Sequence, residues 1–366
     1  MNNIMKISSV NHESNDAGEE YGVVMTSVKI IGDLLKKKDF DYCVAAYDGV
    51  GSGVLRWKIY EDYKANRGKN YILHDPDTSD YMKKMYLFER QVIEHSKNKH
   101  GGDKRKSIED EEASFERQRL ILQNILEELC VRQYEFENVE GDDIIAHYVL
   151  NKKGNEKIVV VSTDKDLTQL ISEDVIVYSP KLRDFITKDN SVQKIGITHE
   201  NVALEKILCG DQSDNIKGIK GMGSGTLMKL FPEIKSEKVD LGHIVGKAEK
   251  LLEDRKSNKQ KPLKVLENVV NSITDGKQGK DIYDINKRLI DLSNPMLTES
   301  AKQELDDLLY APMDVSDRSV QNVYRIISEN RMYKLTDESR FGNLFSPFYR
   351  IMMVERRRFE AFSSAK

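Results

Sequence analysis

The first half of the chain alternates short apolar runs with longer amphipathic segments. The runs in "YCVAAYDG", "KIVVV" and "DVIVYSP" have the length of strands, and turn residues bound them. Between residues 19 and 38 the apolar positions recur every three or four residues, which indicates a helix. Strands that alternate with amphipathic helices predict an α/β fold with a mostly parallel central sheet flanked by helices.

Further helices are predicted near 112 to 132, after "ENVEGDD", and from about Asp166. Beyond about residue 198 the pattern predicts only helices, including a turn-rich segment, "GDQSDNIKGIKGMGSGTLMKLF". This change predicts two domains: an α/β domain over 1–195 and a helical domain over 196–366.

Composition narrows the class of protein. The 366 residues exceed one average domain, and 57 Lys and Arg against 61 Asp and Glu give a net charge of only -4. If the two signs segregate, one face could bind an anion while an acidic cluster binds metal. Three cysteines without metal-like spacing argue against a disulfide framework, and no apolar run approaches a membrane span. We therefore expect a soluble cytoplasmic protein.

Carboxylates gather where the predicted strands end and helices begin. In an open parallel sheet, ligands bind beyond the carboxyl ends of the strands. Each group has a simpler explanation as a helix cap, a first-turn acid or a turn residue. The acids at these positions are Asp48, Glu140, Asp142, Asp143, Asp164, Asp166, Asp211 and Asp214.

Eight acids at one sheet edge would repel one another strongly unless cations lay among them. Oxygen ligands without His or Cys suit Mg²⁺ or Mn²⁺. Two such ions about 3.5 to 4 Å apart are the usual device for hydrolysing a phosphodiester. The joint pattern therefore favours a two-metal site, an interpretation that depends partly on the resemblance described next.

Four motifs in order resemble the 5′ nuclease family, which includes flap endonucleases and the 5′ nuclease domain of bacterial DNA polymerase I. The motifs are "YDGVGSGVLRWKIYEDYKANRGK", "ENVEGDDIIAHYV", "VVVSTDKDLTQL" and "LCGDQSDNIKGIKGMGSGTLMKLF". The residues and the order of these motifs are most similar to those of the ribonuclease H branch of T-even phages. The resemblance covers about 1–231, and more weakly "YDINKRLIDLSNP" at 283–295.

The resemblance implies a role for each acid. Asp48, Glu140 and Asp142 would serve mainly the catalytic metal ion. Asp164, Asp166 and Asp211 would serve the second ion, and Asp143 and Asp214 would bind directly or through water. The implied cofactor is two Mg²⁺ ions, for which Mn²⁺ can substitute.

The basic residues of the first motif have implied roles too. Lys64 and Arg67 look like the family's basic pair at the foot of a helical arch, where they contact the scissile phosphate. Arg56, Lys58 and Tyr63 in the same segment are candidates for DNA contact, and for Arg56 and Lys58 a solvated helix face is the alternative. The arch would span about 55–118, and its polar part from about 68 to 112 could instead be a solvated insertion.

The glycine segment "GIKGMG" resembles the family's helix-three-turn-helix, placed at about 198–231. Gly218, Gly221 and Gly223 permit tight turns that aim backbone N–H groups at a phosphate, with Lys220 among them. In the family this element grips duplex DNA and often holds K⁺.

One departure from the family concerns the start. Family members begin with a strand that ends in a metal-binding aspartate, and "MNNIMKISSV" resembles the residues just after it. We expect that the start is placed at an internal Met. The alternative is a truncated chain that binds DNA without catalysis.

The leading hypothesis is a metal-dependent 5′ nuclease that removes RNA primers and flaps in phage DNA replication, acting as a monomer. Its substrates would be branched or 5′-ended duplex DNA and RNA/DNA hybrid. A structure-specific DNA-binding protein and a single-strand ribonuclease of the PIN fold are the alternatives. Two interpretations apply to four residues in the C-terminal third. They either form a docking surface for a single-strand-binding protein or clamp, or pack in the core: Phe345, Phe348, Tyr349 and Met352.

Overall fold

The computed structural model describes residues 1, 4–5, 13–67, 75, 77–78, 102–271 and 282–364, with the backbone alone at 67 and 102–112. None of the helices within these ranges is both long and apolar enough to cross a membrane. The three cysteines are free thiols, and burial raises the pKa of each, to about 12 for Cys43 and about 11 for Cys130 and Cys209.

The secondary-structure elements follow in chain order. The helices are α1 (Gly22–Leu35), α2 (Val54–Trp57), α3 (Gly102–Glu128), α4 (Gly141–Leu150), α5 (Ser191–Ile195), α6 (Val202–Cys209), α7 (Ser224–Leu230), α8 (Leu241–Ser257), α9 (Lys264–Asn271), α10 (Ile282–Ile290), α11 (Glu299–Leu308), α12 (Val320–Glu329), α13 (Glu338–Phe345) and α14 (Tyr349–Ser364). The strands are β1 (Val44–Ala46), β2 (Arg132–Tyr134), β3 (Ile158–Val161), β4 (Val175–Ser179), β5 (Asp184–Ile186), β6 (Gly210–Asp211) and β7 (Ile216–Lys217). Short 3-10 helices lie at Ala65–Arg67, Asp166–Leu170, His199–Asn201, Pro232–Lys235, Tyr333–Leu335 and Ser346–Phe348.

Two compact units divide the chain. Unit 1 comprises Met1–Gly49, Pro76–Phe136 and Glu299–Lys366, and unit 2 comprises Val50–Asp75 and Glu137–Thr298. Unit 2 takes in residues from both sides of the boundary predicted near 195. The division into 1–195 and 196–366 therefore stays a prediction about segments of the sequence.

In unit 1 a parallel pair, β1 and β2, shares a core with α1, α3 and the C-terminal helices. The start of α1 is fixed by Gln118, whose buried side chain accepts a hydrogen bond from the Val23 amide at 2.8 Å. Phe345 and Phe348 are 2% and 0% exposed within this core, so core packing is confirmed for them. Met352 packs partly against the same core, whereas Tyr349 is 50% exposed.

A buried ion pair ties α14 to β2. Arg132 donates through Nε and Nη2 to the two carboxylate oxygens of Glu355, both at 2.8 Å. Their side chains are 5% and 0% exposed. Arg132 Nη1 also donates to the Ala311 carbonyl at 2.7 Å, so the guanidinium joins α14, β2 and the segment after α11.

In unit 2, β3 pairs with β4 in parallel and β4 pairs with β5 antiparallel. The apolar positions Val160, Leu167, Val175 and Val177 form its first core with α4. Because β3 ends at Val161, the chain leaves the sheet at the segment that contains Asp164 and Asp166. A helix begins at Asp166 as predicted, and it is the short 3-10 helix Asp166–Leu170.

The second core of unit 2 surrounds the turn-rich segment. The prediction of helices only beyond 198 is wrong here, because β6 and β7 form a short antiparallel pair in which Gly210 lies opposite Lys217. Helices α6, α7, α8, α9 and α10 pack their apolar residues around this pair.

The α/β class is confirmed, and the described ranges contain two parallel strand pairs, one in each unit. Helix α3 begins at Gly102, ahead of the predicted start near 112, so this part of the polar stretch is helical. About half of the predicted arch at 55–118, including 79–101, lies outside the described residues.

Glu355→Ala tests the buried pair in unit 1. The change strands the Arg132 guanidinium, and breaking a buried pair in this way costs about 3 to 5 kcal/mol of unfolding free energy. Glu360→Ala, in the same helix but exposed, is the control and should change it by less than about 0.5 kcal/mol. Urea unfolding of the two variants measures the difference, and equal losses would contradict this role for Glu355.

Candidate active site

Two groups of predicted acids are assembled in unit 2. The first, the Glu140 cluster, contains Arg56, Tyr63, Lys64, Glu140, Asp143 and Asp214. The second, the Lys206 cluster, contains Asp164, Asp166, Lys206 and Asp211.

Arg56 is the centre of the Glu140 cluster. Its Nη1 donates to Glu140 Oε2 at 2.6 Å and to Asp143 Oδ2 at 2.5 Å, and its Nη2 donates to Asp143 Oδ1 at 2.9 Å. The residue is 6% exposed. Burial alone would lower the pKa of Arg56, but the charges of Asp143 and Glu140 outweigh it and hold the pKa well above its ordinary value.

Glu140 has a second cation beside it. Lys64 Nζ donates to Glu140 Oε1, and the Tyr63 hydroxyl donates to Glu140 Oε2 at 3.0 Å. Burial raises the pKa of Glu140, but Arg56 and Lys64 more than offset this and lower it to about 2. The glutamate is therefore ionised throughout the physiological range.

Lys64 is held in place by its backbone. Its φ of 52° lies in the left-handed region, and its amide donates to the Asp214 carbonyl at 2.8 Å. Nearby, Asn215 Nδ2 donates to the Asp62 carbonyl at 2.7 Å. These bonds join the segment after α2 to the turn at 211–215.

In the Lys206 cluster one ammonium bridges two acids. Lys206 Nζ lies 2.5 Å from Asp166 Oδ1 and donates to Asp211 Oδ2 at 2.6 Å. Asp164 Oδ1 accepts a hydrogen bond from the Asp166 amide at 2.9 Å. Burial, together with the charges of Asp164 and Asp211, raises the pKa of Asp166 to about 6 against the lowering effect of Lys206.

The turn at 211–214 connects the two clusters. Asp211 Oδ1 accepts hydrogen bonds from the Ser213 amide at 2.8 Å, the Ser213 hydroxyl at 2.7 Å and the Asp214 amide at 3.4 Å. Burial alone would raise the pKa of Asp211, but Lys206 and Ser213 lower it. Asp211 thus belongs to one cluster and orients Asp214 of the other.

Both clusters suit a hard divalent cation, because their acidic side chains offer carboxylate oxygens, which such cations prefer as ligands. Asp166 Oδ1 is buried and makes no hydrogen bond among the described residues, although Lys206 Nζ is near. Within the same residues no three His, Cys, Asp or Glu side chains converge as ready-made metal ligands. Instead Arg56, Lys64 and Lys206 neutralise the carboxylates.

Asp142 and Asp48 are the remaining predicted acids. Asp142 is in the first turn of α4, where it is half-buried. Asp48 follows β1 by two residues and belongs to unit 1. Metal binding by either residue stays a prediction.

The basic residues of the first motif, between 56 and 67, have different surroundings from those that the sequence predicted. Arg56 was expected on a solvated face or against DNA, but it is buried because Glu140 and Asp143 need its charge. Tyr63 is buried as well, at 2% exposure. Lys58 is partly exposed and paired with Asp75 at 2.7 Å. Arg67 has only its backbone described, in a 3-10 helix.

The predicted glycine hairpin is the β6–β7 pair with the turn that follows. A Cβ on Gly218 would lie 2.1 Å from the Cys209 carbonyl carbon, so close backbone contact requires this glycine. Gly221 has a φ of 87°, which requires glycine for a different reason. Gly223 precedes α7 with open space around it, and Lys220 is exposed.

Sequence reasoning missed the buried cations. Lys206 lies five residues before Asp211, and residues five apart on a helix do not face each other, so this spacing gave no signal for the pair. The charge of Arg56 gave no such signal, because its partners are more than 80 residues away in sequence.

A family model described as "5'-3' exonuclease, N-terminal resolvase-like domain" matches residues 6–196. A 5'-3' exonuclease of Aquifex aeolicus is 24% identical over 322 residues, which cover 87% of this chain and 92% of that protein. DNA polymerase I of Caldicellulosiruptor bescii is 30% identical over 219 residues, which cover 57% of this chain but only 20% of the polymerase.

Two solved structures from bacteriophage T5 share the fold. The 5'-exonuclease with zinc bound is 17% identical, with a TM-score of 0.53, and the match covers 89% of this chain and 96% of the other. The flap endonuclease in a complex with DNA and metal ions is 16% identical, with a TM-score of 0.54, over 89% and 97% of the two chains.

Asp166→Asn tests the electrostatics of the Lys206 cluster. Asp166 titrates near 3.9 when unfolded and about 6 when folded, so its contribution to the unfolding free energy falls as the pH rises between these values. In metal-free buffer the variant should gain up to about 3 kcal/mol relative to the wild type from pH 4 to pH 7. Urea unfolding across this range measures it. Asp189→Asn, an exposed acid, controls for net charge, and a pH-independent difference for Asp166→Asn would contradict the assignment.

Gly218→Ala tests the close backbone contact in the hairpin. The added Cβ cannot fit against the Cys209 carbonyl, so the β6–β7 pair must move and we expect a loss of about 2 kcal/mol or more. Gly225→Ala, in α7 with nothing within 4 Å, should be neutral or slightly stabilising. Thermal unfolding compares the two, and a stable Gly218→Ala variant would show that the contact is dispensable.

Proposed function

The chain belongs to the 5'-3' exonuclease family, and on that premise we propose that it is a divalent-metal-dependent 5′ nuclease. It hydrolyses phosphodiesters at 5′ ends or flaps of DNA or RNA/DNA duplexes, and so removes RNA primers and flaps during DNA replication. One observation carries the proposal: acids from three separate segments, 140–143, 164–166 and 211–214, form two clusters joined by the turn at Asp211.

Each cluster would hold one ion. Asp164, Asp166 and Asp211 supply carboxylate oxygens to one, and Glu140, Asp142, Asp143 and Asp214 supply them to the other. Mg²⁺ is the favoured ion and Mn²⁺ a substitute, because the donors are all oxygen. When bound, the two ions supply an activated water and neutralise charge on the attacked phosphate.

Lys64 contributes positive charge at the same place. Its Nζ contacts Glu140 and lies 4.0 Å from Asp214 Oδ2, inside the Glu140 cluster. A preorganised ammonium there stabilises the charge that develops on a phosphate as it is attacked. Arg67, three residues on in the 3-10 helix, completes the basic pair.

The hairpin supplies a grip on duplex DNA. Its exposed backbone around Gly221 and Gly223, with Lys220 between β7 and α7, suits sequence-independent contact with phosphates. A K⁺ ion at the Gly218–Gly223 turn would strengthen that contact. The substrate is therefore a branched or 5′-ended duplex, and action on RNA/DNA hybrids gives ribonuclease H activity. The protein acts as a monomer inside the cell, with a single-strand-binding protein or clamp as partner.

A DNA-binding protein without catalysis is not favoured, because the chain covers 92% of a relative named 5'-3' exonuclease. Polymerase activity is no part of the proposal, since the match to DNA polymerase I covers about a fifth of that protein.

Metal-dependent release of short 5′ products tests the proposal. A 5′-labelled flap substrate and an RNA/DNA duplex should be cut in Mg²⁺ and stay intact in EDTA. Asp211→Asn should lower the rate by at least about a hundredfold, since it removes a carboxylate of the Lys206 cluster and the acceptor that orients Asp214 of the other cluster. Asp189→Asn should cut at the wild-type rate. Cleavage that survives EDTA, or that Asp211→Asn leaves unchanged, would defeat the proposal.

Lys64→Met separates a transition-state role from substrate binding. A cation that acts on the developing charge lowers kcat by about a hundredfold or more and changes KM little. Lys181→Met, an exposed lysine elsewhere in unit 2, is the control and should leave both constants unchanged. Steady-state cleavage of the flap substrate gives the two constants. A rise in KM at constant kcat would instead assign Lys64 to substrate binding.

A further inference from the structure

The motif "YDINKRLIDLSNP" has no role in the proposed chemistry, yet it forms α10 and the turn after it. Asn286 and Tyr283 are among the buried residues of this helix, at 2% and 4% exposure. Buried polar side chains that repeat along one helix must find partners, so their partners show what the helix holds.

Asn286 holds the hairpin. Its Nδ2 donates to two carbonyls, those of Ile207 in α6 and Lys217 in β7, each at 2.9 Å. Lys217 lies opposite Gly210 in the β6–β7 pair. A single carboxamide thus joins the helix before the hairpin to the hairpin itself.

The C-terminal end of α10 is hydrogen-bonded to Arg56 of the Glu140 cluster and to the 3-10 helix that carries Asp166. The Leu289 carbonyl accepts a hydrogen bond from Arg56 Nε at 2.9 Å, and Arg56 is the centre of the Glu140 cluster. The Ile290 carbonyl accepts one from Gln169 Nε2 at 3.2 Å. Gln169 lies in the 3-10 helix that begins at Asp166 of the Lys206 cluster, and its Oε1 accepts from the Leu292 amide at 3.3 Å.

These contacts lie within about one helical turn of each other, from Asn286 to Ile290. A turn of helix is stiff, because each residue is fixed by hydrogen bonds to the next turn. The hairpin and the two clusters are therefore attached to one rigid segment through side chains that are themselves buried.

We propose that Asn286 is a positioning residue that fixes the duplex-gripping hairpin at a set distance from the carboxylate clusters, so that a bound duplex presents its 5′ end to them. The proposal rests on the proposed function, and it adds to that function a residue that touches neither the phosphate nor the acids. Misplacement of a substrate by about 1 Å can cost a hundredfold in rate, so a loose hairpin has a large effect.

Asn286→Leu is the main variant. It keeps the side-chain volume but leaves the Ile207 and Lys217 carbonyls without their donor. Tyr283→Phe is the matched control in the same helix. It removes the hydrogen bond from the tyrosine hydroxyl to the Val269 carbonyl of α9, at 2.5 Å, and leaves the two bonds from Asn286 in place. Thermal unfolding of both variants sets an assay temperature at which each is folded.

Two substrates separate positioning from general damage. One is a 5′ flap on a long duplex, which reaches the hairpin; the other is a short 5′-labelled single strand, which does not. Asn286→Leu should lower kcat/KM on the flap substrate by about ten- to a hundredfold and on the single strand by less than about twofold. Anisotropy of a labelled duplex in EDTA should show weaker binding of Asn286→Leu by a similar factor. Tyr283→Phe should match the wild type in every assay.

Equal losses of Asn286→Leu on both substrates, or equal losses in Tyr283→Phe, would overturn the proposal in favour of a purely structural role. Unchanged duplex binding and flap cleavage would overturn it too. If Asn286→Leu does not fold, Asn268→Leu carries the test, because buried Asn268 donates to the Lys220 carbonyl of the same hairpin at 2.7 Å and should share the phenotype. A wild-type protein that cuts neither substrate defeats the proposed function alone, since duplex binding in EDTA still decides the role of Asn286.

Discussion

Mutual repulsion among carboxylates is the constraint on which the arrangement of unit 2 depends. Six acids from three segments meet in two clusters, and like charges a few Å apart in a partly buried place cost several kcal/mol. The protein offsets this with buried cations of its own. Arg56 and Lys64 neutralise one cluster so well that the pKa of Glu140 falls to about 2. Lys206 neutralises the other only in part, since the pKa of Asp166 stays near 6.

The two clusters also differ in their number of cations. The Lys206 cluster has one cation for three acids, whereas the Glu140 cluster has two cations for three acids, so the Lys206 cluster keeps the larger excess of negative charge. The Glu140 cluster is more nearly neutral and is bound firmly to the surrounding backbone through Arg56.

Local chemistry explains which features the sequence predicted. The strands with their carboxylates at the ends, the glycine turn and the acids of three motifs all follow from short-range patterns. The buried position of Arg56 could not be predicted, because its partners Glu140 and Leu289 are distant in sequence and pair with it only after folding. The helix from Asp166 was predicted, but its 3-10 geometry could not be, since its apolar spacing also fits an α-helix. Long-range packing determines the burial of Arg56 and the type of helix at Asp166, because the local pattern is compatible with more than one arrangement.

The composition of unit 1 from three separated segments has a consequence for synthesis. All residues of unit 2 precede residue 299, so its core can close while the last segment is still being made. Unit 1 needs Glu355, Phe345 and Phe348 to complete its core, and these leave the ribosome after all of unit 2. Until then β2 exposes Arg132 without its carboxylate partner. Co-translational folding should therefore finish unit 2 first, and the early α1–β1 segment must wait, as a partly folded intermediate, for helices made hundreds of residues later.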